Sequence, residues 1–268
     1  MTLVLLQKAQ GHQFRSRRSD LIKAQSDKIW NLLSKEAEIQ RVATGFMFTE
    51  GPIWNPSEKY LLFSDIPANI CRKLTIDGQI SEVRNPSQKS NGLTYDKNLN
   101  LLACEHLSSS LVLIDQDGKR KILAASFEGK ELNSPNDLCV RLDGSIYFTD
   151  PPYGRMPGFG KEREQDLGFQ GVFRLTPGQD LQLAVEPDTY KAPNGLCFSP
   201  DESLLYINDS SQALIDVYNV GWITRSLWFV TFRSFLKSLC ALTPIVTPGL
   251  RHSWGHQGAL GGTIAGAL

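Results

Sequence analysis

The chain has 268 residues, 41% of them apolar, with 28 basic and 28 acidic side chains and a formal net charge of zero. That length and apolar content supply a sizeable core in one or two domains. The balanced charge argues against nucleic acid as a partner, because phosphate binding shows as a basic excess.

The start, MTLVLLQKAQ, carries an apolar run too short for a secretion signal and no basic stretch ahead of it, and no run reaches the length of a membrane span. The five cysteines (Cys71, Cys104, Cys139, Cys197, Cys240) are far apart and form no C-x-x-C pair. That spacing is expected of buried thiols kept reduced. The expectation is a cytoplasmic protein with no membrane partner. Residues 1–45 read as a leader with one surface helix. Leu21, Ile22, Ile29, Leu32 and Leu33 stand at helical spacing behind Ser19 or Asp20 as a cap.

From residue 46 a unit repeats. EGPIWNPSEKYLLFSD runs from Glu50 to Asp65, NGLTYDKNLNLLACE from Asn91 to Glu105, NDLCVRLDGSIYFTD from Asn136 to Asp150, and NGLCFSPDESLLYIND from Asn194 to Asp209. Each opens on Glu or Asn, passes through a polar turn into a β-rich run, and closes on an acid. The closing acid follows the opening residue by 15, 14, 14 and 15 positions. Such a unit is an antiparallel hairpin, with alternation as in Ile146-Tyr147-Phe148-Thr149 and turn pairs such as Asp143-Gly144 and Pro200-Asp201. A hairpin brings its two ends to one level, so opening residue and closing acid share an edge.

Further strand-like runs follow each hairpin (ICRKLTIDGQI, LVLIDQDGKRKIL, GVFRLTPGQDLQLAV, IDVYNV), which gives about four strands per unit. Units of that size at 40–60-residue spacing predict an all-β fold, the blades of a β-propeller, over residues 46–220. Opening residues and closing acids would then form a polar ring about the channel, suited to a cation.

Residues 221–268 break the pattern. They hold no Asp or Glu, four basic residues (Arg225, Arg233, Lys237, Arg251) and three of the five tryptophans. A basic amphipathic helix at a membrane surface is one reading of this tail. The expectation taken here is an atypical segment, disordered or out of the ancestral frame. The blades on either side of the gap would be left open and inclined to self-associate.

Four stretches resemble the family of gluconolactonases, senescence marker protein (regucalcin) and luciferin-regenerating enzyme. They are FTEGPIW (48–54), LACEH (102–106), EGKELNSPNDLCVRLDGSIYFTDPPYG (128–154) and APNGLCFSPDESLLYINDS (192–210). The resemblance spans about residues 42–220. It implies a six-bladed propeller, here with about four blades recognisable, holding one divalent metal and hydrolysing a small-molecule lactone. It further implies that Glu50, Asn136 and Asn194 hold the metal, with an Asp from the following blade. Residues 239–249, LCALTPIVTPG, contain no such Asp motif. The fourth ligand is therefore expected to be absent and activity impaired, or the chain to be a non-catalytic partial propeller.

The donor types suit Ca²⁺, alternatively Zn²⁺, Mg²⁺ or Mn²⁺, since carboxylate and amide oxygens are hard ligands. Asp150, at the channel edge before Pro151, is the candidate catalytic group, with a plain turn former as the alternative. Asn91, Glu105 and His106 are candidates to touch substrate, with His106 equally readable as a loop histidine bonded to backbone. Asp65 and Asp209 read as structural.

Overall fold

The structure, a computed structural model, describes residues 2–7, 26–31 and 38–220. A first pair of strands, β1 (Thr2–Gln7) and β2 (Glu38–Thr44), runs antiparallel. Four sheets follow as blades of a β-propeller. Blade 1 contains β3 (Thr49–Asn55), β4 (Tyr60–Asp65), β5 (Ile70–Thr75) and β6 (Ile80–Arg84). Blade 2 contains β7 (Ser90–Tyr95), β8 (Leu101–Glu105), β9 (Ser110–Ile114) and β10 (Arg120–Ala124). A short hairpin, β11 (Ser126–Phe127) and β12 (Lys130–Glu131), leads to blade 3, which has β13 (Leu138–Val140), β14 (Ile146–Asp150), β15 (Gly171–Leu175) and β16 (Gln182–Leu183). Blade 4 has three strands among the described residues, β17 (Pro193–Phe198), β18 (Leu204–Asp209) and β19 (Leu214–Asn219).

The polar turns work as their residue types require. Asn55 Oδ1 accepts from the N–H of Ser57 and Glu58, Asp96 Oδ1 from Asn98 and Asn100, and Asp143 Oδ1 from Ser145. These side chains replace the ladder partners that the backbone loses in turning.

The core lies between blades, because strand side chains alternate faces. Ile53, Leu62 and Cys71 of blade 1 pack on Leu93, Tyr95, Ala103 and Val112 of blade 2. Leu102, Cys104 and Leu111 pack on Leu138, Ile146, Phe148 and Phe173 of blade 3. The opposite face of blade 3, with Tyr147 and Val172, packs on Leu196, Phe198, Leu205 and Ile207 of blade 4.

The two outer faces differ. That of blade 1 (Leu61, Phe63, Leu74) is covered by Val42 and Ala43 of β2 with Phe46. That of blade 4 (Leu204, Tyr206, Ile215, Val217) is half-buried. The surface helix expected around residues 21–33 lies mostly outside the described residues. A 3-10 turn covers Asp27–Asn31, and Glu38–Thr44 is a strand, because the apolar face of blade 1 draws Val42 and Ala43 into its core. The expected atypical tail, 221–268, lies outside the described residues. Cys71, Cys104, Cys139 and Cys197 are free thiols, and among the described residues no helix is long and apolar enough to cross a membrane.

Candidate active site

Glu50, Asn91 and Asn194 sit on inner strands and Asn136 stands just ahead of β13, and each blade grips the opening residue of the next. Ser64 Oγ of blade 1 donates to the Asn91 carbonyl at 2.8 Å. The Gly92 N–H of blade 2 donates to the Asn136 carbonyl at 2.7 Å. Thr149 Oγ1 of blade 3 donates to the Asn194 carbonyl at 2.6 Å. The glycines that follow the openings let the backbones meet. A Cβ on Gly51, whose φ is +56°, would lie 2.0 Å from the Asn91 carbonyl oxygen, and one on Gly92 would lie 2.6 Å from that of Asn136. Glu50, Asn91, Asn136 and Asn194 are thereby brought side by side around one axis.

Glu50 is 7% exposed and faces a second acid, Asp137, which is 3% exposed. Burial pushes the Glu50 carboxyl up to about 8, and the Asp137 charge adds to the rise. Asp137 escaped the sequence reading. The opening residues are followed by Gly51, Gly92 and Gly195 in three repeats and by Asp137 in the other, and that single departure from glycine was the available signal. Asn194 Nδ2 donates to Ser210 Oγ at 2.8 Å, so its Oδ1 is the end left to act as a ligand.

The closing acids do something else. Asp65 Oδ1 accepts from the N–H of Met47 (3.0 Å) and Phe48 (3.1 Å). The Asp150 carboxylate accepts from Asn133 and Ser134, both at 2.7 Å. Asp209 Oδ2 accepts from Lys191 (2.7 Å) and Ala192 (3.0 Å). In all three blades the donors stand three and two positions ahead of the opening residue, so each acid clamps the lead-in to its own inner strand. In blade 2, Glu105 reaches Arg84 at 3.1 Å and Arg120 at 2.7 Å instead.

Two expected roles are corrected by this. Asp150 is fully buried, both its oxygens are committed to backbone N–H groups, and it serves the loop that carries Asn136. Burial pushes its carboxyl up to about 7 against the lowering pull of those donors. Glu105 is fully buried, its oxygens taken by the guanidinium groups of Arg84 and Arg120 and by Ser108 Oγ. Of the four closing acids, three clamp lead-in backbone and Glu105 is ion-paired.

His106 is also buried, 1% exposed, under the segment from Pro151 to Gly160 that leaves blade 3. This segment crosses to the other blades. Phe159 stands edge-on to Phe48 of the blade 1 lead-in at 5.0 Å, and Lys89 of blade 2 donates to the Gly158 carbonyl. Arg155 and Arg163 both pair with Glu131, which pins the segment from its other side. His106 Nδ1 lies 2.9 Å from the Phe159 carbonyl and Nε2 lies 3.3 Å from Asn91 Nδ2. Burial pushes the imidazole down to about 4, so the ring is neutral near pH 7.

Comparison with known proteins matches the model of the SMP-30/gluconolactonase/LRE-like region to residues 48–236. The gluconolactonase of Zymomonas mobilis is 32% identical over 207 residues, covering 72% of this chain and 57% of that protein. Lactonohydrolase oryL of Aspergillus oryzae is 27% identical over 216 residues, covering 70% of this chain and 48% of its own. The chain thus spans about half the length of these two relatives. The solved structure of XC5397 from Xanthomonas campestris, described as a gluconolactonase, superposes with a TM-score of 0.68 at 32% identity, over 72% of this chain and 65% of that one.

Proposed function

Because the chain belongs to the SMP-30/gluconolactonase/LRE-like family, we propose that its channel hydrolyses a sugar lactone or similar cyclic ester with the help of one divalent cation. The observation that carries this is the chain of grips that sets Glu50, Asn91, Asn136 and Asn194 along adjoining blades. Among the described residues no three His, Cys, Asp or Glu side chains gather as a metal cluster. The donor set is instead one carboxylate, Glu50, and two amide oxygens, from Asn136 and Asn194. That set fits a hard cation, Ca²⁺ first, then Mg²⁺, Mn²⁺ or Zn²⁺. The buried Glu50–Asp137 pair fits it too, since two like charges out of water need neutralising. When bound, such a cation polarises the lactone carbonyl and lowers the pKa of a water.

The chain's own groups divide the remaining work. Asn91 takes a substrate hydroxyl. Asp137, the carboxylate facing Glu50, accepts the proton of the attacking water, a role the resemblance gives to an Asp of the following blade. Asp150 acts from behind by holding the lead-in to Asn136. Residues 239–249, where the resemblance expects that Asp, lie outside the described residues. We further propose that a site without it binds the cation weakly and turns over slowly. The free thiols accord with a reducing, cytoplasmic setting.

Calorimetric titration with Ca²⁺ alongside glucono-1,5-lactone hydrolysis tests the proposal. The expected result is heat and turnover in the native chain and neither in Glu50→Gln. Equal Ca²⁺ binding by both chains, or no turnover with any of the four cations, would sink it. The half-buried outer face of blade 4 favours a second reading, a non-catalytic partial propeller that self-associates. A sharp monomer peak in size exclusion with one cooperative melt contradicts that one.

A further inference from the structure

The surroundings of His106 give it a task other than touching substrate. The Phe159 carbonyl can only accept, so the Nδ1 that faces it at 2.9 Å carries the proton. A neutral ring protonated there presents Nε2 as an acceptor. The group opposite it at 3.3 Å is Asn91 Nδ2, a donor. The two bonds therefore fix each other: the carbonyl selects the tautomer, and the tautomer selects which end of the Asn91 amide turns to the histidine. The ring is also locked by packing. A Cβ on Gly154, within the same crossing segment, would lie 2.6 Å from His106 Cβ and Cγ. The Asn91 backbone is held independently, by Ser64 Oγ at its carbonyl.

We propose that His106 is a positioning residue that acts through Asn91, holding its amide with Oδ1 toward the channel and tying that orientation to the segment Pro151–Gly160. The crossing segment of blade 3 and the axial residue of blade 2 then form one unit, and a shift of Phe159 reaches the channel as a rotation of the Asn91 amide. This deepens the lactone-site proposal and rests on it for its kinetic part. The bond geometry is testable without any turnover.

The test uses the full chain. Long-range proton–nitrogen correlation spectra near pH 6.5 are expected to show one histidine neutral, bare at Nε2 and protonated at Nδ1, its signals lost in His106→Asn. Two short substitutions separate the bonds. Asparagine keeps a donor for the Phe159 carbonyl and falls short of Asn91. Glutamine keeps an acceptor near Nε2 and gives up the Phe159 bond. With glucono-1,5-lactone and Ca²⁺, His106→Asn should lose on the order of 10-fold in kcat/KM. His106→Gln should recover most of that loss, and His106→Asn should add nothing further to Asn91→Ala. The shape of the pH profile should stay the same throughout. An Nε2-protonated or charged ring, equal losses in both variants, or loss of the acid limb of the profile would overturn the proposal. If the native chain turns over no lactone, the functional proposal falls, and the tautomer together with the Asn91 side-chain amide shift in His106→Asn still decides this one.

Discussion

The two ends of each hairpin invite comparison. Opening and closing residues recur at nearly the same separation, carry oxygen side chains and lie at the same edge of the sheet. They nevertheless do opposite things. Openings are gripped at their carbonyls by the neighbouring blade, which sets Glu50, Asn91, Asn136 and Asn194 along adjoining blades, the arrangement on which the proposed cation site rests. Closings stand one strand further out, where Asp65, Asp150 and Asp209 turn back on backbone N–H groups of their own blade and Glu105 pairs with Arg84 and Arg120. The difference teaches that an acid at a propeller edge is not a site residue until its partners are known. A buried carboxylate with a backbone N–H on each oxygen, as in Asp150, is already tied to the frame of its own blade.

The largest predicted effect breaks a clamp. Asp150→Ala leaves the N–H groups of Asn133 and Ser134 buried without partners and should cost about 4 kcal/mol, read by denaturant unfolding. Asn136→Ala should leave the unfolding midpoint nearly unchanged and lower the Ca²⁺ affinity. If the two variants behave alike, the division between site and clamp is wrong.

Next comes pH. His106 has a folded pKa of about 4 against an ordinary 6.5, so below 6.5 the unfolded chain takes up a proton that the native chain refuses. Stability present at pH 7 is therefore lost progressively as pH falls from 6.5 to 4, by about 3 kcal/mol. His106→Gln should flatten that slope in unfolding midpoints measured across the range.

A smaller change probes the grips between blades. Thr149→Val removes the hydroxyl that holds the Asn194 carbonyl and should cost about 1 kcal/mol by thermal melting, with a larger proportional loss in Ca²⁺ affinity. The smallest effect belongs to the surface. Arg141→Lys disturbs a half-exposed pair with Asp143 and should shift stability by less than about 0.5 kcal/mol.

Much of the fold was legible in the residues. The alternation in Ile146–Asp150, the turns at Asn55 and Asp96, and the repeated spacing dictate hairpins, and hairpins of that size dictate blades. The same spacing placed Glu50, Asn91, Asn136 and Asn194 as the opening residues of successive blades. Three things were not legible there. The direction of the closing acids depends on lead-in backbone that precedes each motif and has no periodicity. The segment Pro151–Gly160 packs on Phe48 and Lys89, partners distant in sequence that no local pattern announces. The strand Glu38–Thr44 was not assigned from the sequence, because its packing depends on the apolar face of blade 1 as well as on its own propensities.

The clamps also bear on how such a molecule comes to exist. Asp65, Asp150 and Asp209 each bind the lead-in of their own blade, with Arg72 and Gln212 of the same blades as further partners of Asp65 and Asp209, so the geometry that sets each opening residue travels inside a single blade. Copying one blade copies its inward-facing oxygen with it, already oriented. Ancestral duplication could thus assemble a multidentate centre from repeats that were individually complete before any ion arrived.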